Sequence, residues 1–176
     1  TIHVVQHVSL LLGGERPVSF LCQLVDVTES RRVEAERRAG EVRLQAIVDN
    51  APAVIYVKDT EQRFVLVNRR WEALYGVDRQ DAVGRCADQV LDPVEAERLA
   101  RLDGDVLDLE DAVETLAPVR TATGGRLELL TQQFPIFDGE GRVAGVCGIA
   151  TDVTERRRSA GERAELERRL AQAERL

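Results

Sequence analysis

Three cysteines, two histidines and a band of carboxylates are the residues whose types could do chemistry in this 176-residue sequence. Zinc held by sulfur needs closely spaced cysteine pairs. Cys22, Cys86 and Cys147 form no such pair, and their odd number argues against a disulfide framework. His3 and His7 have the spacing that would face a metal from one side of a helix. Around them Ile2, Val4, Val8, Leu10 and Leu12 alternate as in a strand, which turns both imidazoles away from the apolar row and predicts a solvent-facing pair. Ten carboxylates crowd residues 88–114 against Arg98 and Arg101. Within that run, Asp103-Gly104-Asp105-Val106-Leu107-Asp108 lacks the ligand spacing and glycine position of a calcium loop, so a solvated helix face and acidic loop is expected. No nucleophile, base and orienting group stand together, and Gly124-Gly125 and the glycines of 139–141 fit hairpin turns rather than a phosphate cradle. No catalytic site is expected in these residues.

Composition narrows the classes further. A net charge of −7, with Lys58 the only lysine among 24 basic residues, argues against a nucleic-acid binder, which would carry a basic stripe. No apolar run approaches the roughly 18 residues that cross a bilayer, and no signal peptide opens the chain, so a cytoplasmic location is expected. The absence of methionine predicts a piece of a longer protein.

An internal repeat organises the elements. DVTESRR at 26–32 recurs as DVTERRR at 152–158, and each copy follows two apolar strand-like runs separated by a turn, GGER at 13–16 and DGEGR at 138–142. Each copy leads into a charged helical stretch. Asp26 with Glu29, and Asp152 with Glu155, have capping-box spacing: the Asp would accept from the third helical amide while the Glu reaches back to the cap amide. A hairpin welded to a helix is therefore predicted twice.

Between the copies, 53–59 and 63–68 read as a hairpin, 69–77 as a helix, and 79–82 and 86–90 as short helical segments. A longer helix starts at Pro93, and strands follow over 113–123, 127–137 and 143–153. Two strands, a run of helices and three strands predict an α+β domain with a five-stranded antiparallel sheet and its helices on one face.

At NRRWEALYG (68–76), VGRCADQVLDPVEAERL (83–99) and GRVAGVCGIATDVTERR (141–157) the chain resembles the PAS family, in unbroken order over 43–158. The resemblance implies a PAS fold and four segments. Residues 1–28 would be the final hairpin of a truncated preceding PAS domain, 29–48 a linker helix, 49–154 a complete PAS domain, and 155–176 a signalling helix. Leu166, Leu170 and Ala173 give that last helix a short seam compatible with coiled-coil pairing. ELERRLAQAERL (165–176) is similar to the segment leading into the dimerising helix of sensor histidine kinases.

PAS domains often enclose a small ligand, so each cofactor has its own test. A flavin-adduct cysteine as in the LOV subfamily is disfavoured, because Cys86 lies in Gly84-Arg85-Cys86-Ala87-Asp88-Gln89 and none of its neighbours match; a small, buried or half-buried thiol fits better. Haem is disfavoured because both histidines lie outside the complete domain and no Cys-x-x-Cys-His is present. A small molecule or no ligand remains, and the cofactor stays unknown. Pocket candidates are Ile55, Val57, Trp71, Tyr75, Leu99, Leu102, Val119, Leu129, Thr131 and Val146, with Tyr56, Arg126 and Gln133 as polar options. A one-residue slip in register would flip their facing. Trp71 reads as core packing, with stacking on a planar ligand the alternative. The junctions Asp152, Thr154, Glu155 and Asp26, Thr28, Glu29 are expected to relay a change to the exit helix. The implied function is a sensory relay module, most simply the input region of a two-component sensor histidine kinase. It would dimerise through its N- and C-terminal helices and act on an output domain in the same chain. The alternatives are the input of a cyclic-dinucleotide enzyme and a ligand-free dimerisation spacer.

Overall fold

A computed structural model describes residues 2–13 and 16–173, which divide into two compact units at Ile47 and Val48. In the first unit, strands β1 (Val4–Gly13) and β2 (Arg16–Asp26) pair antiparallel, with a register shift between Leu11 and Leu12. Helix α1 (Thr28–Asp49) follows and has no buried residue. Its surface is laced by pairs such as Arg38–Glu34 at 2.8 Å and Arg32–Glu36 at 3.2 Å. Such i, i+4 pairs contribute about 0.2–0.5 kcal/mol each to a solvated helix. The turn residues Gly14 and Glu15, and the side chains of Leu170 and Ala173 in the expected seam, lie outside the described residues.

The second unit opens with β3 (Val54–Asp59) and β4 (Phe64–Val67), then α2 (Arg69–Tyr75), α3 (Arg79–Ala82), a 3-10 turn (Ala87–Gln89) and α4 (Pro93–Leu109). Strands β5 (Val113–Arg120), β6 (Arg126–Phe137) and β7 (Val143–Asp152) and helix α5 (Thr154–Ala173) complete it. The antiparallel sheet has the order β4-β3-β7-β6-β5, so the last strand sits at the centre beside the first strand of the unit. This is the α+β arrangement expected from the element order.

Local chemistry fixes the helix ends. Asp92 accepts from the amides of Val94 and Glu95, and Pro93 follows in the first turn, where its missing N–H costs nothing. Helix α2 stops at Gly76, whose φ of +69° suits glycine and whose amide donates to the Glu72 carbonyl at 2.8 Å. The core gathers Tyr56, Phe64, Trp71 and Leu99 between the sheet and the helices. Its rings run edge to face from Tyr56 to Phe64 at 5.9 Å and on to Trp71 at 5.1 Å. Gly148 makes room for this row: a Cβ there would meet the Tyr56 ring at 2.3 Å. Among the described residues no helix is long and apolar enough to cross a membrane.

Candidate functional site

Alternation along β3 turns Tyr56 and Lys58 into the core, and they carry polar groups with them. Both are met by Asp103, which α4 presents from the facing layer. The Lys58 Nζ donates to Asp103 Oδ2 at 2.5 Å and the Tyr56 hydroxyl donates to Oδ1 at 3.0 Å. Gln133 on β6 completes the group, its Nε2 donating to Asp103 Oδ1 and to the Tyr56 oxygen at 2.8 Å each. The ammonium also lies 4.8 Å from the Phe64 ring centroid, a cation–π contact inside the core. Burial pushes the Tyr56 phenol well above its ordinary pKa, and the Asp103 charge adds to that. The network ends on an unpartnered acceptor, Gln133 Oε1, and the Trp71 Nε1 donor is likewise buried without a partner.

A second, partly buried group stands beside it. The Tyr75 hydroxyl donates to Glu95 Oε1 at 2.6 Å, and Arg98 grips both oxygens of the same carboxylate at 2.6 and 2.9 Å. Two of the ten carboxylates of 88–114, Glu95 and Asp103, are therefore buried and paired, correcting the expectation of a wholly solvated face. Outside the core, an open groove of about 810 Å³ runs past Asp92, Val94, Glu95, Val119, Arg120 and Arg126.

Of the sequence-derived candidates, Tyr56, Trp71, Leu99, Leu102, Val119, Leu129, Thr131, Gln133 and Val146 are buried, and Tyr75 packs against the core. Ile55 and Val57 are not brought to that face. They lie half-buried on the opposite face of β3 from Tyr56 and Lys58. Arg126 is exposed at the start of β6 and lines the groove instead of the core. Lys58 and Asp103 escaped the sequence reading, as did Asn68. That Asn caps α2 through its Oδ1, which accepts from Trp71 and Ile55, while its Nδ2 donates to the carbonyls of Val48 and Ala53 at 2.8 Å. Of the free thiols, Cys86 is half-buried and Cys147 buried, the latter pushed up to about 11 by desolvation.

The strand-to-helix junctions differ from capping boxes. Asp152 Oδ1 accepts from the amide of Thr154, two residues on, at 2.9 Å, and from the Thr154 hydroxyl at 2.5 Å. Glu155 turns outward to Arg158 at 3.7 Å instead of reaching back. The Thr154 oxygen accepts from the amide of Glu128 at 2.9 Å, so one hydroxyl ties β6 to the first residue of α5. The Val153 amide donates to the Glu128 carbonyl at 2.9 Å. The first copy repeats three of these bonds: the Thr28 amide donates to Asp26 Oδ1, the His3 amide donates to the Thr28 hydroxyl, and the Val27 amide donates to the His3 carbonyl. Hydrogen bonds from Thr28 hold the Asp26 carboxyl below its ordinary pKa.

Comparison with known proteins agrees with this architecture. A family profile described as PAS fold matches residues 48–158. The chain is 31% identical over 116 residues to the methanogenesis regulatory histidine kinase FilI of Methanothrix harundinacea, covering 66% of this chain and 13% of that protein. It is 29% identical over 161 residues to the two-component sensor PprA of Pseudomonas aeruginosa, covering 90% of this chain and 17% of that one. It thus spans less than a fifth of either relative. The PAS domain of Bordetella pertussis BvgS superposes with a TM-score of 0.57 at 23% identity, covering 74% of this chain and 98% of that domain. With the five-stranded sheet, the helical layer on one face and the matched residues all coinciding, the chain belongs to the PAS fold family.

Proposed function

We infer that this chain is a sensory relay module that passes a change in its core, through the Asp152-Val153-Thr154 junction, to α5 and an output domain beyond it. The observation that carries this reading is the Thr154 hydroxyl, which is bonded to β6 and to Asp152 at once. A shift of β6 relative to β7 must break or re-aim those bonds, and with them the start of α5. Gln133, a member of the buried polar network, lies on that same β6. A small molecule that satisfied Gln133 Oε1 or Trp71 Nε1 would favour one arrangement of the two strands over another. Relatives that are a histidine kinase and a two-component sensor support a kinase output. A cytoplasmic location and dimerisation through α1 and α5 belong to the same proposal.

The test is made in the full-length protein. Asp152→Ala and Thr154→Val should each shift output, read as autophosphorylation or cyclic-dinucleotide synthesis according to the domain that follows, while this domain stays folded by circular dichroism. Unchanged output in both variants overturns the relay. Native mass spectrometry separates the ligand-free spacer from the sensor, because a retained small-molecule mass is incompatible with the spacer.

A further inference from the structure

The β1–β2 hairpin and the β6–β7 hairpin can be aligned residue by residue through their shared junction. Val4 pairs with Asp26 as Leu129 pairs with Asp152, and Val8 pairs with Cys22 as Gln133 pairs with Gly148. On this register Val4, Val8 and Leu24 correspond to Leu129, Gln133 and Ala150. The second set is 2%, 0% and 5% exposed beneath its helical layer, whereas the first is 51%, 60% and 66% exposed. On its other edge β7 is paired with β3, while β2 pairs with β1 alone among the described strands. The same face and edge that are covered in one hairpin are thus open in the other.

We propose that this hairpin is a docking surface for a strand-and-helix segment built like residues 48–109, supplied by polypeptide preceding Thr1 in the full-length protein. The strand would pair with the free edge of β2, and the helices would cover Val4, Val8 and Leu24 to complete a second PAS domain. Two strands without a layer over their apolar face are marginal in water, so such a cover is what this surface requires. The matched region covers only 13% and 17% of two related proteins, so such chains carry much further polypeptide. One difference between the hairpins constrains it. Tyr56 rests on Gly148, but the corresponding position is Cys22, so the docked strand must present a side chain smaller than tyrosine there.

Cys22 reports on the surface directly, since it is exposed and lies on the face in question. Alkylation rates of Cys22, located by peptide mass spectrometry, are compared between the full-length protein and the 176-residue chain at low concentration. Burial beneath a stably folded layer should slow labelling at least ~10-fold in the full-length protein, and amide exchange over 22–26 should slow with it. Equal rates in the two proteins overturn the proposal. So does protection in the 176-residue chain that grows with its concentration, which would assign the face to a second copy. Neither result bears on the relay at Asp152, which is read by output alone.

Discussion

Lys58 on β3 and Asp103 on α4 form an ion pair sealed from solvent, and each is the other's only opposite charge within the buried network. Removing one partner of such a pair strands a charge in the core, which costs about 3–5 kcal/mol. Asp103→Leu or Lys58→Met alone should lower the unfolding free energy from urea titration by that amount, and the double variant should recover most of it. Additive losses would mean that the two side chains act independently.

Asn68 uses both Nδ2 hydrogens and accepts twice through Oδ1, joining the end of α1, the start of β3 and the start of α2. Asn68→Ala leaves several of these partners unsatisfied and should cost about 1–3 kcal/mol or more in denaturant unfolding. Asn68→Asp keeps the cap but faces a carboxylate toward the Val48 and Ala53 carbonyls. Its destabilisation should therefore grow as pH rises from about 4 to about 7, measured as the gap in melting temperature to the unaltered protein.

The protein's two tyrosines, Tyr56 buried and Tyr75 half-buried, are both hydrogen-bonded to carboxylates. Burial, reinforced by Asp103 for Tyr56 and by Glu95 for Tyr75, pushes both phenols well above their ordinary pKa. Their contribution to stability is complete below the unfolded value of about 10 and is lost as pH rises above it. Alkaline titration should show tyrosinate absorbance appearing together with loss of circular dichroism, not before it.

Glu72 takes Arg79 at 2.6 Å, and Asp49 takes the same guanidinium at 3.1 Å, tying α2 and α3 to the end of α1. Hydrogen bonds from Arg79 hold the Glu72 carboxyl below the usual carboxylate range. The resulting stability is present above the unfolded value of about 4.3 and is lost as pH falls through the lower folded value. Glu72→Gln should therefore flatten the acid limb of a stability-against-pH profile while lowering its plateau; an unchanged acid limb would discount the pair.

The element order was legible because it rests on local chemistry: the Gly124-Gly125 and Asp138-Gly139 turns, Pro93 after Asp92, and Gly76 after an apolar helix face. The face of β3 was not, since Ile55 and Val57 are the more apolar pair while the core side is held by Tyr56 and Lys58. Hydrophobic parity chooses wrongly when a strand buries its charge. Asp103 was hidden similarly inside an acidic run, and its partner lies forty-five positions away, beyond any local periodicity. At the junction the repeated phrase was evident, but Asp-to-Thr bonding two residues on and Glu-to-cap bonding share one spacing pattern, and only coordinates tell them apart.

Because the single lysine of this sequence is the one enclosed beside Phe64, the surface of the chain carries no side-chain amine. Its side-chain cations at neutral pH are guanidinium groups, which keep their charge far above physiological pH. Acyl transfer to lysine, whether by a cellular acetylase or by an amine-directed crosslinking reagent, thus finds no accessible side chain here while the domain is folded. Modification of Lys58 would instead report that the core has opened.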